Sequence, residues 1–322
     1  MRAAVVIVAA LTSAAAFSAA AGPTRQVEPG PSKPPPEATV SGVTVDAPTK
    51  PNPLVDRTTA FVRQRLPTSR FEQYARFHDP ICVKVVGLPE AFDGFVAKRV
   101  VDLARQVRAP VADAATCKPN VNVIFSTNPQ AQLTDIAKRR DILFGFYFKA
   151  DEKHLATFSR PIQSWYLSRT DDTNGTKVLE LNDPMPCVSS PQGICDIKAP
   201  AVVGKAGSRL GIDVSTELVH SLIIADANKV AGEKIEAVAD YIAVLALSRW
   251  QGLERCTGLL TILNLMADGC DADDRPEAAT QADLALLTSL YQVDAREAGT
   301  LQRAEIASAV RKAGEDPGKT PR

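Results

Sequence analysis

Few side chains in this chain have types and spacings that could do chemistry. Three histidines stand apart, at His78, His154 and His220, and none has a nearby cysteine or serine arrangement that by itself suggests a catalytic pair. Each is therefore expected to be structural, and histidine-rich metal chemistry is excluded. The six cysteines, Cys82, Cys117, Cys187, Cys195, Cys256 and Cys270, include no C-x-x-C pair, and their spacings do not suit zinc. The acidic run Asp268, Asp271, Asp273, Asp274 and Glu277 offers oxygen ligands, but Pro276 stands where an EF-hand loop needs glycine. A solvated loop is expected there. The glycine-rich stretch Val203-Gly204-Lys205-Ala206-Gly207-Ser208-Arg209-Leu210-Gly211 fits neither a phosphate-binding loop nor a nucleophile elbow, and is expected to be a loop as well.

The N-terminus says where the cysteines are used. Arg2 precedes an uncharged stretch, Ala3 to Ala21, apolar at Val5, Val6, Ile7, Val8 and Leu11 and ending in small residues. A charged start, a short apolar centre and an A-x-A end mark a secretory signal peptide over residues 1–21. Its strongly apolar part is too short for a membrane anchor, so no integral membrane segment is expected after its removal. A periplasmic or secreted bacterial protein follows, and in that setting six cysteines imply three disulfides. Cys82 opens one predicted strand and Cys117 just precedes the next; if those strands are parallel and adjacent, both cysteines lie at one end of the sheet. Cys187 and Cys195 bracket one loop, Cys256 and Cys270 another. The expected pairs are Cys82 with Cys117, Cys187 with Cys195, and Cys256 with Cys270.

The elements that would position these residues begin after residue 55. Nine of the 23 prolines fall between Pro23 and Pro53, and no aromatic residue occurs between Phe17 and Phe61, so residues 22–55 are expected as a disordered linker. Residues 56–313 are expected to form a single domain, with 314–322 a disordered tail. The pattern predicts a helix over Asp56–Leu66 capped by Asp56, a strand over Ile81–Val86, a helix over Glu90–Val107, and a strand over Asn120–Phe125. A helix over Gln130–Arg139 and a strand over Ile142–Phe148 follow. Ile162–Ser168 and Lys177–Leu181 flank the turn Asp172-Thr173-Asn174-Gly175 as a hairpin, and Leu218–Ala225 is a further strand. Three helices are expected afterwards, at Ile235–Arg249, Ala282–Tyr291 and Leu301–Lys312. The fold class is therefore α+β, a mixed β-sheet with an N-terminal βαβ unit and a C-terminal helical half.

Charge narrows the partners. Lys+Arg and Asp+Glu are equal at 37 each, and removing the signal peptide leaves 36 basic residues against 37 acidic. That balance excludes a nucleic-acid footprint.

The most informative stretch runs from Ile235 to Tyr291. Ile235, Val238, Ile242 and Leu245 form an apolar stripe, and Ala239, Ala243 and Ala246 a small-residue face beside it. Thr261-Ile262-Leu263-Asn264-Leu265-Met266 follows, then Thr280-Gln281-Ala282-Asp283, a helix start with an acidic third residue. This order resembles the C-terminal half of zincin-like peptidases of the metzincin/matrixin type: a histidine helix, a methionine-containing turn, then a T/S-x-x-D-x-x-x-(I/L)-x-x-L-Y helix. Thr280, Asp283, Leu287, Leu290 and Tyr291 fall in register with the last pattern. The chain is also similar to secreted proteobacterial proteins with a zincin-like domain. The resemblance spans about residues 58 to 312 and implies a zincin-like fold.

It does not bring an active site. On the family's H-E-x-x-H-x-x-G-x-x-H helix the zinc histidines fall on Ala239 and Ala243, the catalytic glutamate on Asp240, the glycine on Ala246 and the third histidine on Arg249. Two alanines offer no lone pairs, and a carboxylate without metal has no activated water to serve. No catalytic residue, metal or cofactor is implied. The expected protein is non-catalytic and binds a protein or cell-envelope ligand through the former cleft at Ala239, Asp240, Ala243, Ala246 and Arg249. Two alternatives stay open: a metal-independent hydrolase with a site assembled from distant residues such as Asp240, Tyr241, His220 and Arg249, and a purely structural envelope protein held by its disulfides.

Overall fold

A computed structural model describes residues 53–69, 71–113, 115–140, 155–179 and 213–315. In chain order these form α1 (Pro53–Arg65), β1 (Val83–Val86), α2 (Glu90–Gln106), β2 (Val121–Ser126), α3 (Pro129–Arg140), β3 (Ile162–Asp172), β4 (Lys177–Leu179) and β5 (Val214–Asp226). A single turn, α4 (Ala227–Val230), then leads to α5 (Ile235–Leu247), α6 (Gln281–Gln292) and α7 (Gly299–Glu315). The fold is α+β with one mixed five-stranded sheet, ordered β1-β2-β5-β3-β4. Strands β1, β2 and β5 are parallel, and β3 runs antiparallel to both β5 and β4.

The βαβ start is there because α2 carries Val96, Val100 and Leu103 on one buried stripe, which packs beneath β1 and β2. Strand β2 alternates, with Val121, Val123 and Phe125 buried toward the helices and Asn122 and Ile124 half-buried on the other face. After β1 the chain turns at Gly87, φ 110°, where a Cβ would stand 2.0 Å from the Phe125 carbonyl oxygen; only glycine fits. The β3–β4 hairpin closes where Asp172-Thr173-Asn174-Gly175 predicts a turn, with Gly175 at φ 82°.

Strand β5 is longer than its apolar run. It begins at Val214 rather than Leu218, because its polar start is satisfied: Thr216 Oγ1 donates to Ser69 Oγ at 2.8 Å and Glu217 pairs with Arg169. A bulge sits opposite Leu167/Ser168, where pairing passes from Leu218 to His220 and Val219 is the extra residue. The bulge swaps faces. Leu218 points to the helical core before it, whereas Ile223 and Ala225 do so after it, and His220 is turned to the far face.

Several boundaries depart from the sequence expectation. Helix α1 starts at Pro53 instead of Asp56, since proline suits a first helical turn, whose N–H has no partner in any case. The expected linker therefore overlaps the helix. Helix α5 stops at Leu247, short of Arg249, with Ser248 extended at φ −151° and ψ 165°. Helix α7 runs through Gly314 to Glu315, so the expected tail begins inside it. It starts at Gly299, where a Cβ would meet the Glu72 carbonyl oxygen at 1.6 Å.

Cys82 is bonded to Cys117 and Cys256 to Cys270, as expected from their positions. The pair Cys187 with Cys195, the strand expected over Ile142–Phe148, His154, the glycine-rich stretch, the signal peptide and most of the linker lie outside the described residues. Among the described residues no helix is long and apolar enough to cross a membrane.

Candidate functional site

Helix α5 is buried all round. Every residue from Ala237 to Leu247 is inaccessible, and Ala239, Ala243 and Ala246 have 0% exposure. Such a helix needs its end groups satisfied inside the protein, and four side chains do this. Its last four carbonyls, which have no partner within the helix, each accept one hydrogen bond. Trp250 Nε1 donates to Val244 O at 2.9 Å, and Tyr166 Oη to Leu245 O at 3.0 Å. Ser221 Oγ donates to Ala246 O at 3.0 Å, and Tyr291 Oη to Leu247 O at 2.8 Å. The sheet, the following loop and α6 are thus all tied to one helix terminus. This cap ends α5 two residues before Arg249, which lies beyond the helix and is only partly buried.

Asp240 is the one charge on that helix beyond its first turn, 1% exposed. Arg99 of α2 holds it with two donors, Nε to Oδ1 and Nη2 to Oδ2 at 2.8 Å, and the Ala279 N–H donates to Oδ2 at 2.8 Å. The fork matches a carboxylate geometrically, and hydrogen bonding to Asp240 holds the Arg99 guanidinium above its ordinary pKa. Asp240 therefore fastens α2, α5 and the approach to α6 together.

The next segment is organised by two further buried polar groups. Asp283 is the third residue of α6 and makes a capping box with Thr280. Its carboxylate also accepts from Thr261 Oγ1 and from the Ile262 N–H at 2.9 Å, which joins the Thr261–Met266 segment to α6. Burial raises its pKa and these hydrogen bonds oppose the rise. Asn264, fully buried, accepts from the Thr257 N–H at 3.0 Å and donates to the carbonyls of Leu259 at 3.0 Å and Asp274 at 3.1 Å. Met266 is half-buried against the core.

The structure does not bring together the four residues of the hydrolase alternative. Tyr241 lies in the core beside Asp240, its hydroxyl pushed up to about 12 by burial. His220 is on the far face of the sheet, with Nε2 at 2.7 Å from Asn122 Nδ2. On that far face lies a groove of about 330 Å³ between α3 and strands β1 and β2, lined by Lys84, Asn122, Ile124, Gln132, Asp135 and Arg139. The former cleft expected at Ala239, Ala243 and Ala246 is packed core instead, because side chains without exposed surface cannot line an open cleft.

Ionisable groups do converge elsewhere, around His78, expected from the sequence to be structural, and Glu217, which no sequence motif singles out. Its signal was a glutamate inside a strand otherwise free of acids as far as Asp226. No group of three or more histidine, cysteine or acidic residues among the described residues is arranged to hold a metal ion. Comparison with protein-family models, curated proteins and solved structures gives no match.

Proposed function

We propose that this is an exported, non-catalytic protein on a degenerate zincin-like scaffold that binds a protein or cell-envelope ligand. The observation that carries the reading is Asp240. Its oxygens are taken by Arg99 and by the Ala279 N–H, between alanines with no exposed surface, and the resemblance aligns it with a peptidase's catalytic glutamate. Such a group is a strut, not a base. The capped α6, with Thr280 and Asp283 in a capping box and Tyr291 on the end of α5, supports the scaffold part of the reading. The two disulfides are compatible with an extracytoplasmic location. Because the alanine face is packed, the ligand is assigned to another surface.

Purified protein tests this directly. It should carry no stoichiometric zinc, leave casein and peptide libraries intact, keep its melting temperature in chelator and co-sediment with isolated cell envelopes. Stoichiometric zinc, or cleavage abolished by chelator, would overturn the reading.

A further inference from the structure

Strand β1 lies at an edge of the sheet, and its backbone leaves one side open. Successive residues of a strand turn their N–H and C=O groups to opposite sides. The Cys82 carbonyl accepts from the Val121 N–H, on the β2 side, at 3.0 Å. Ile81 faces outward instead: its N–H donates to Pro110 O at 2.9 Å, and its carbonyl accepts from the Ala112 N–H at 3.0 Å. Val83 and Val85 are in phase with Ile81, so their N–H and C=O groups also aim outward. The neighbouring segment bridges only Ile81, through Val111, and among the described residues nothing bonds to Val83 or Val85 on that side.

A cavity lies on each face of the sheet beside this open edge. On the helical side about 210 Å³ is lined by Val83, Ala97, Val101, Ala112 and the Cys82–Cys117 disulfide. On the far side the groove of about 330 Å³ includes Lys84, Val86, Ile124 and Ile136 in its wall. Val86 is 38% exposed, an apolar side chain left open to solvent. The other charges at the two cavities are paired, Lys98 with Asp102 and Arg139 with Asp135. Lys84 has no counter-ion among the described residues.

A second copy of the chain is a poor occupant. The two-fold antiparallel register that uses all the open groups sets Val83 against Val85 of the copy, and places Lys84 directly opposite its own counterpart.

We propose that the open edge of β1 is the ligand site, and that it takes an extended peptide segment of a partner protein as an added strand. Main-chain hydrogen bonds to Val83 and Val85 hold the segment, apolar side chains alternate into the two cavities, and a carboxylate of the partner meets Lys84. This rests on the binding reading above and names its partner.

The probe is a blocked pentapeptide, Leu-Glu-Leu-Phe-Leu, which presents its leucines to one face of the sheet and its glutamate and phenylalanine to the other. At saturation on the intact protein it should raise amide protection at Val83 and Val85 about tenfold and leave α5 unchanged. Of two versions N-methylated on alternate amides, one should bind and the other not, because only one phase faces β1. Val83→Pro removes an outward N–H without touching the ladder to β2, which an edge strand tolerates, and should weaken binding about tenfold. Lys84→Glu should come to prefer the peptide with lysine in place of glutamate, which decides the matter if Val83→Pro folds poorly. Val83 and Val85 amides as protected as those of β2 without peptide would mean that the chain's own residues fill the edge. A dimer broken by Val83→Pro would give the edge to a second copy. Either result, or no peptide binding, overturns the proposal. Co-sedimentation with cell envelopes undiminished in Val83→Pro would overturn it too, while leaving the binding reading standing.

Discussion

Two carboxylates in this fold are each held by an arginine, and their surroundings differ. Asp240 receives two donors from Arg99 and a backbone N–H from Ala279, and each of those donors serves it. Glu217 shares Arg169 with Asp171 and Asp79, and has a histidine rather than a donor on its other side. Burial is a cost for both, but only at Asp240 does the protein supply enough fixed donors to offset it. At Glu217 the cost remains visible as a carboxyl held above its ordinary pKa, beside an imidazole pushed down to about 4. A donor-rich carboxylate is a strut, whereas a donor-poor one in a crowd of shared charges responds to protons.

The largest expected effect is at the strut. Arg99→Met leaves Asp240 buried with one backbone N–H, and should cost about 3 kcal/mol, the low end for a broken buried pair because Arg99 is itself partly exposed. It would be read as a shift in urea midpoint at unchanged slope. Adding Asp240→Leu to Arg99→Met should recover much of the loss, since no unpaired charge then remains. A loss below about 1 kcal/mol would place this pair among exposed surface pairs and erase the contrast.

The next effect is at His78 and depends on pH. His78 titrates near 6.5 when unfolded and about 4 when folded, chiefly through burial and then through Arg76. Between those values the unfolded chain binds the proton and the folded one does not, so stability is present above that window and lost as pH falls through it. With a third of the ring exposed, solvent screening leaves about 1–2 kcal/mol of the loss. His78→Gln should flatten the denaturation-versus-pH curve between pH 6.5 and 4. An unchanged slope would mean that the imidazole takes up its proton as readily in the folded protein as in the unfolded chain.

Tyr291→Phe tests the cap of α5. It removes the hydroxyl that donates to Leu247 O, a carbonyl in the interior, and should cost about 1–2 kcal/mol without changing the pH profile. A pH-dependent cost would show that the two regions are coupled.

How much of this was legible depended on the distance between partners. Strands β1 and β2 could be placed because their apolar runs are short and bounded by turn residues, and the Cys82–Cys117 bond followed from parallel pairing. The capping box at Thr280 and Asp283 was legible because its members are three residues apart. Asp240 was visible, but its partner Arg99 lies 141 positions away, and no spacing rule reaches that far. The alanine face looked like a vacated cleft because small residues serve equally where ligands are lost and where helices approach closely. The charges around Glu217 were hidden for a further reason. Ser215, Thr216 and Glu217 interrupt the apolar pattern, so β5 was expected to start after them, and only pairing with Arg169 and Ser69 makes them a strand.

The smallest effect is expected from Glu217→Gln, and its size sharpens the contrast with Asp240. At neutral pH the substitution removes one interaction with Arg169 but also the cost of keeping a charge at 2% exposure. Arg169 is not stranded, because Asp171 and Asp79 remain beside it. The two terms nearly cancel, so the net change should stay within about 1 kcal/mol of zero at pH 7. Its pH dependence has a definite sign. A carboxyl whose folded pKa is raised stabilises the fold fully below its unfolded value, and that stability is lost as pH rises through the folded value. Glutamine carries no such term, so the variant should gain on the wild type as pH rises from 4 to 7. If it instead loses ground over that interval, Glu217 is a strut of the same kind as Asp240, and the distinction between the two sites collapses.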